Sequence, residues 1–235
     1  MKKIGIVTLY GNYNLGNKLQ NYAVEQIYRN LGFDSYTIFY TLDEMEATGN
    51  SKQKIKKLVK EVLLKIGIRA ESIYKYSLEK KRNRLFEVFS DNFLNLSEEI
   101  HFSRLPSDLK DHYDFFSVGS DQVWRNWTDT LDEMKYFLLS FADPNQRICF
   151  SPSIGRSVIP DQYLNTFKKE LEKFSILSCR ENSGAELISN LTGRGVHVLS
   201  DPTIGIKADE WLKISVKPEF PIPEEFILVY FLGEP

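Results

Sequence analysis

Residues 2–23 read KKIGIVTLYGNYNLGNKLQNYA, and this stretch decides the fold. A short apolar run at 4–9 leads into a turn that contains Gly11 and Gly16, and the turn leads into a stretch with helical periodicity. A strand, a glycine-rich turn and a helix in this order begin many α/β proteins, and the turn commonly holds an anionic or polar ligand. The stretch therefore predicts a strand and a helix joined by a ligand-binding turn.

The same alternation of apolar runs and helical stretches continues along most of the chain. Several runs are continuously apolar, which is typical of strands covered by helices on both faces. Strands are predicted at 4–9, 36–39, 115–118, 148–151, 176–179 and 196–199, and helices at 19–31, 161–174 and 182–191. The alternation predicts an α/β fold with a doubly wound, mostly parallel, Rossmann-like sheet.

Residues 43–110 interrupt this alternation and predict a helical insertion, with one helix near 51–67 and another near 73–90. Further on, a proline-rich stretch reads as a linker, and an apolar run follows it. The predicted division is a Rossmann-like N-terminal domain at 1–215, a linker at 216–225 and, at 226–235, the first strand of a C-terminal domain that is truncated or missing.

Composition and charge are those of a globular protein of 235 residues, with 42% hydrophobic residues and a net charge of −2. The near-neutral charge argues against a nucleic-acid partner. No apolar run approaches the ~20 residues of a membrane-spanning helix. The N-terminus also lacks the apolar core and cleavage site of a signal peptide. We therefore predict a cytoplasmic protein.

The cysteines and histidines do not suggest a metal site. Cys149 and Cys179 each lie inside an apolar run, which predicts reduced, buried thiols. The three histidines are scattered without metal-ligand spacing. We predict neither a bound metal nor a cofactor.

The glycine-rich turn resembles a phosphate-binding P-loop but departs from it at the lysine. A P-loop places lysine directly after its last glycine, whereas Asn17 follows Gly16 and Lys18 comes one residue late. One residue rotates a helical side chain by about 100°, so nucleoside triphosphate binding is disfavoured. The remaining amides suit sugar hydroxyls or a single phosphate or carboxylate, and the candidate binding residues are Asn12, Asn14, Gly16, Asn17 and Gln20. The alternative is a tight turn whose asparagine caps the helix.

The stretch GSDQVW, at 119–124, follows a predicted buried strand. Asp121 is our candidate general base toward a substrate hydroxyl, and Ser120 and Gln122 are candidate substrate contacts beside it. Trp124 either stacks on a sugar face or belongs to the core. The alternative for Ser120 and Asp121 is a helix cap.

Two further strand ends carry polar residues. Arg180 is a candidate anion-binding residue because a guanidinium can grip a carboxylate or phosphate with two hydrogen bonds. Glu181 is a candidate substrate contact, although an Arg180–Glu181 pair that braces two loops is the commoner arrangement. Ser153 is a weaker candidate in SPSIG at 151–155, and SDPT at 200–203 reads mainly as the end of a strand.

Taken together, these clusters resemble the polysaccharide pyruvyl transferase family. The resemblance rests on five motifs in order: GNYNLGNKLQNYA at 11–23, SVGSDQVW at 117–124, SPSIG at 151–155, SCRENSG at 178–184, and SDPT at 200–203 followed by Trp211. SPSIG departs from the SFG turn usual in the family, so the substrate is expected to differ.

The resemblance implies a two-domain, GT-B-like transferase. Such an enzyme moves the enolpyruvyl carbons of phosphoenolpyruvate to a sugar of a capsular or cell-wall polysaccharide precursor, forming a pyruvate ketal and releasing phosphate. Phosphoenolpyruvate is then a substrate, and its binding site lies largely in the second domain. The alternatives are a nucleotide-sugar glycosyltransferase of the same plan and a non-catalytic carbohydrate-binding module.

One basic segment stands on an otherwise acidic chain. Residues 51–84 hold 12 Lys or Arg against three Asp or Glu. If the acceptor sugar is lipid-linked, the lysines of 51–67 could hold the enzyme at the inner face of the membrane. The alternative is a solvated helix that covers the core.

Overall fold

The computed structural model describes residues 1–11, 14–41, 70–101, 104–125 and 131–229. Strands and helices alternate along the chain, and the predicted α/β class is confirmed. In chain order the elements are β1 (Lys2–Val7), α1 (Leu15–Asn30), β2 (Phe33–Thr37), β3 (Tyr40–Thr41), α2 (Ala70–Phe93), β4 (Ile100–His101), β5 (Phe115–Gly119), α3 (Leu131–Phe137), β6 (Arg147–Phe150), α4 (Asp161–Leu171), β7 (Leu177–Cys179), α5 (Asn182–Thr192), β8 (Val196–Val198) and α6 (Ala208–Ile214).

The central sheet has four parallel strands in the order β2, β1, β5, β6. The parallel pair β7 and β8 lies beside β6. Ser178 Oγ donates to the carbonyl of Cys149 over 2.7 Å, and the Arg180 N–H donates to the carbonyl of Pro152 over 3.0 Å. These bonds place the ends of β6 and β7 next to each other, so the polar loops after both strands lie on one edge.

Strand β1 is central and buried, as its continuous hydrophobicity predicts. Ile4 and Ile6 are inaccessible to solvent and pack against Val24 and Tyr28 of α1. Gly5 is required on the opposite face, because a Cβ there would lie 2.9 Å from side-chain atoms of Ile38 and Phe116. Both faces of β1 are therefore closely packed, and α1 covers one of them.

The predicted element bounds are close to those observed. Helix α1 ends before Gly32, whose φ of +84° lies in the left-handed region that favours glycine. Strand β2 begins earlier than predicted because Phe33 is already paired with Lys2 in the parallel ladder. Free, buried Cys149 and Cys179 confirm the predicted thiols, and burial raises the pKa of Cys149 to about 12.

The insertion is described only in part. Helix α2 confirms the helix predicted near 73–90, while the predicted helix at 51–67 lies outside the described residues. Residues 216–229 form neither helix nor strand, and 230–235 are not described, so the domain boundaries stay predictions. Of the helices that are described, none has the length and apolar character needed to span a membrane.

Candidate functional site

The strand order reverses between β1 and β5, because the chain continues from β1 to β2 on one side and from β5 to β6 on the other. In open α/β sheets this reversal opens a crevice at the carboxyl ends of the strands, where ligands bind. A cavity of about 450 Å³ lies there, and its lining residues are Asn14, Gly16, Asn17, Leu19, Gln20, Asp121, Arg180, Asp201, Thr203 and Trp211.

The cavity gathers half of the residues that the sequence singled out. These six come from three segments that are far apart along the chain: Asn14, Gly16, Asn17, Gln20, Asp121 and Arg180. Five other candidates do not line the cavity, namely Ser120, Gln122, Trp124, Ser153 and Glu181. Asn12 lies outside the described residues.

The first turn of α1 forms one wall. Asn14 is the N-cap, and its Oδ1 accepts a hydrogen bond of 2.8 Å from the Gly16 N–H, so the helix-capping alternative applies to this residue. Asn17 is only 5% exposed. Its side-chain amide has no hydrogen-bond partner among the residues that the structure describes, and it lines the cavity.

Lys18 points away from the cavity, as the one-residue shift from the P-loop pattern predicts. Its Nζ lies 3.6 Å from the centroid of the Tyr10 ring, and the residue as a whole is only 1% exposed. Burial lowers the pKa of Lys18 to about 8, although the nearby carboxylates of Glu87 and Asp91 act in the opposite direction. The only lysine of the turn is thus unable to contact a ligand in the cavity.

Asp121 reaches the cavity through a strained turn. Ser120 and Asp121 have φ values of 21° and 69°, although neither is glycine. Backbone conformations of this kind cost on the order of 1–3 kcal/mol each and are common at functional sites. The Ser153 N–H donates to the carbonyl of Asp121 over 2.8 Å and stabilises the turn. In the described part of the chain only the Gln122 N–H, at 2.7 Å, donates to the Asp121 carboxylate.

Arg180, Asp201 and Gln20 form a network across the opposite wall. Asp201 Oδ2 accepts from Arg180 NH1 over 2.7 Å and from Gln20 Nε2 over 2.9 Å. Its Oδ1 accepts from the N–H and the hydroxyl of Thr203 over 3.0 and 2.8 Å. Burial alone would raise the pKa of Asp201, but the bonds from Thr203 and Gln20 and the charge of Arg180 outweigh it and lower the pKa.

Trp211 of α6 completes the lining and is half-buried. Its ring centroid lies 5.8 Å from that of Tyr22, and the Tyr22 hydroxyl donates to the carbonyl of Glu210 over 3.3 Å. We did not select Leu19, Asp201, Thr203 or Trp211 from the sequence as site residues. The available signal was that SDPT ends a strand at the same edge as the other polar loops.

The structure corrects the prediction that Trp124 contacts the substrate. It is fully buried, its Nε1 donates to the carbonyl of Phe137 over 3.0 Å, and its ring meets Phe167 edge-on. The core alternative therefore applies, and the indole cannot stack on a sugar.

The other four candidates outside the cavity support loops. Ser120 and Ser153 are buried and hold the Asp121 turn through backbone hydrogen bonds, while Gln122 Oε1 accepts from Arg125 over 2.6 Å. Glu181 Oε1 accepts from the N–H groups of Ile154 and Gly155 over 2.8 and 3.2 Å. The expected bracing carboxylate is present, but the partner of Arg180 is Asp201 and not Glu181.

Among the described residues, no three His, Cys, Asp or Glu side chains come together as the ligands of a metal ion would. Comparison with known proteins identifies a family. A family model described as polysaccharide pyruvyl transferase matches residues 14–234, nearly the whole chain, and covers all residues of the cavity lining. No curated protein and no solved structure matches the chain.

Proposed function

The chain belongs to the polysaccharide pyruvyl transferase family and is a transferase. We propose that it transfers the enolpyruvyl carbons of phosphoenolpyruvate to a sugar, and that the reaction takes place in the cavity. The acceptor is a sugar of a cell-surface polysaccharide precursor. The products are a pyruvate ketal and inorganic phosphate. The observation that carries the proposal is that one cavity holds a carboxylate, Asp121, and a guanidinium, Arg180.

Ketal formation requires two sugar oxygens to bond to C2 of the donor while the bond from C2 to the phosphate oxygen breaks. One of the two hydroxyl protons ends on the methylene carbon, which becomes a methyl group, and the other ends on the released phosphate. Asp121 is suited to accept the first hydroxyl proton, because its carboxylate lines the cavity and only the neighbouring Gln122 N–H, of the described residues, donates to it.

Arg180 is suited to bind an anionic group of the donor. One of its N–H groups donates to Asp201, and no described residue accepts from the others. Asp201 holds one end of the guanidinium, and Arg180 lines the cavity, so its remaining donors are available to an anionic ligand. Of the cavity-lining residues within the described ranges, Arg180 is the only cation, and the donor site therefore needs further positive groups beyond this wall.

The acceptor side is suited to a sugar. Trp211 presents part of an aromatic face, and Gln20, Asp201 and Thr203 present an amide, a carboxylate and a hydroxyl. Aromatic faces and mixed donors and acceptors match the alternating apolar and hydroxylated surfaces of a sugar ring. The orientation of Lys18 away from the cavity weakens the alternative of a nucleotide-sugar donor.

A cytoplasmic location, a lipid-linked acceptor and contact of 51–67 with the inner face of the membrane are part of the same proposal. Flotation of the protein with vesicles of anionic lipid tests the membrane contact. Flotation that is lost when the lysines of 51–67 are replaced with glutamine supports it, and failure to float contradicts it.

Phosphate release tests the transfer itself. The full-length protein is incubated with phosphoenolpyruvate and a panel of lipid-linked and nucleotide-linked sugars, and phosphate is measured with and without each acceptor. We expect release that depends on an acceptor. Consumption of a nucleotide sugar without phosphoenolpyruvate would instead support the glycosyltransferase alternative, and sugar binding without turnover of either donor would contradict both transferase reactions.

A further inference from the structure

The N-terminal end of α1 is open toward the cavity. The helix has 16 residues and no acidic residue in its first turn. Asn14 caps the N–H of Gly16 alone, and no described residue accepts from the backbone N–H groups of Leu15 and Asn17. The partial positive charge at the start of a helix and such free N–H groups favour an anion.

Asn17 supplies a second, independent indication that this turn binds a ligand. The residue is only 5% exposed, yet its side-chain amide forms no hydrogen bond with the described residues. Polar side chains of residues that are this enclosed usually have a hydrogen-bond partner. Asn17 lines the cavity, so a ligand in the cavity can supply a partner for its amide.

The charge that this turn can accommodate is small. Its donors are neutral amide groups, because Lys18 is turned toward the ring of Tyr10. Gly16 leaves the turn without a side chain, and a Cβ there would lie 3.1 Å from Asn14 Oδ1. These features suit one phosphate or carboxylate better than a polyphosphate.

We infer that the first turn of α1 and the side-chain amide of Asn17 bind a single anionic group of a substrate. The inference rests on the proposed function for the identity of that substrate. A phosphate or carboxylate can come from phosphoenolpyruvate, or a phosphate can come from the linkage between the acceptor sugar and its carrier. Both sources present the same chemistry to the turn.

Inorganic phosphate is a direct probe, because its binding requires no turnover. Phosphate is titrated into the ¹⁵N-labelled full-length protein, and the backbone amide signals of residues 15–17 are followed by NMR. We expect saturable shifts of these signals in the wild type. In Asn17→Asp, which places a carboxylate at the turn, we expect the phosphate affinity to fall about 10-fold or more.

Asn17→Asp keeps the shape of the side chain and adds an acidic residue to the first turn, which favours a helix, and its amide spectrum shows whether it is folded. Asn165→Asp, an exposed position of α4, is the matched control for the change in charge and is expected to behave as the wild type. Signals of 15–17 that do not shift, or that shift equally in Asn17→Asp, overturn the inference.

Steady-state kinetics then identify the source of the anion. A KM for phosphoenolpyruvate that rises about 10-fold in Asn17→Asp indicates the donor. A raised KM for a phosphate-linked acceptor, with no change for the corresponding methyl glycoside, indicates the acceptor. If both KM values are unchanged, the turn does not bind a substrate. If the phosphate shifts are present but phosphoenolpyruvate is not consumed, the anion site stands and the proposed donor is wrong.

Discussion

Helix α1 has two buried polar regions, and they differ in one respect. In the second half of the helix, Glu25 is fully buried and accepts from the Thr37 hydroxyl over 2.6 Å and from the Asn95 N–H over 3.1 and 3.0 Å. In the first half, Asn17 is nearly as buried but has no partner among the described residues. Buried polar groups are normally satisfied, so the bonded carboxylate of Glu25 indicates a structural role, and the unbonded amide of Asn17, a residue of the cavity lining, indicates binding.

The difference extends to the surroundings. Glu25 also pairs with Arg29 of the same helix over 2.8 Å, and its bonds with Thr37 and Asn95 tie α1 to β2 and to the loop after α2. In the first half of α1, Gln20 donates to Asp201, and Gly16, Asn17 and Leu19 also line the cavity. We name these the structural half and the cavity half of α1. Changes near the cavity half should alter catalysis, and changes in the structural half should alter stability.

The largest effect in this comparison is expected at Arg180, which faces the cavity half. Arg180→Gln removes the only described cation of the cavity lining, and hydrogen bonds to charged groups contribute about 1.5–3 kcal/mol. We expect kcat/KM for phosphoenolpyruvate to fall about 100-fold, with little change in the melting temperature. Arg84→Gln, on the exposed surface of α2, is the control. An unchanged kcat/KM in Arg180→Gln would remove Arg180 from the donor site.

Glu25→Gln tests the structural half through the pH dependence of stability. Burial raises the pKa of Glu25 to about 7, against the opposing bonds from Thr37 and Asn95 and the charge of Arg29. The folded protein thus holds this proton more tightly than the unfolded chain does. The stabilisation is complete below the unfolded pKa, near 4.5, and is lost as pH rises through 7.

We therefore expect the free energy of unfolding of the wild type, relative to Glu25→Gln, to fall by about 3 kcal/mol between these two pKa values. Urea unfolding of both proteins between pH 4 and pH 8 measures this difference. Parallel curves for the two proteins would show that Glu25 does not titrate in this range.

Trp211→Ala is expected to have a smaller effect, and it concerns the acceptor. An aromatic contact contributes about 0.5–1.5 kcal/mol beyond its buried area, so we expect KM for the acceptor sugar to rise about 10-fold with KM for phosphoenolpyruvate unchanged. Trp211→Phe retains a ring against Tyr22 and should recover most of the affinity. A lower melting temperature without a change in KM would assign Trp211 to packing alone.

Asn14→Ala should have the smallest effect, because the Asn14 side-chain oxygen is already engaged in capping α1. Loss of an N-cap costs about 1 kcal/mol, which denaturant unfolding detects. Asn14→Ser keeps an oxygen that can accept from the Gly16 N–H and should restore most of the stability. Equal losses in the two variants would mean that the capping bond does not stabilise the helix.

Much of the fold was predictable because continuous apolar runs mark strands that are buried on both faces. The parallel sheet follows from these runs, and α1 and α2 follow from stretches with a helical pattern. The partners of Glu25 were not predictable, since Thr37 and Asn95 are separated from it by 12 and 70 residues. A carboxylate on an amphipathic helix is usually exposed, and only the tertiary contacts show that this one is buried.

The cavity was predictable where polar residues directly follow a strand, as at Asp121 and Arg180. It was not predictable where the role of a residue depends on the direction of its side chain. Trp124 lies three residues after Asp121 but turns into the core, while Trp211 lies far along the chain and reaches the cavity. Asp201 resembled a simple strand end because Arg180 and Gln20 become its neighbours only in the folded protein.

Label transfer in Asp121→Asn tests the central claim most directly. The full-length wild type and the variant are incubated with ¹³C-labelled phosphoenolpyruvate and an acceptor sugar, and the labelled sugar ketal is measured by NMR over time. Loss of a general base lowers rates by about 10²–10⁴-fold, so we expect transfer at that reduced rate in Asp121→Asn with an unchanged melting temperature. Transfer at the wild-type rate would contradict the assignment of this cavity as the site of the reaction.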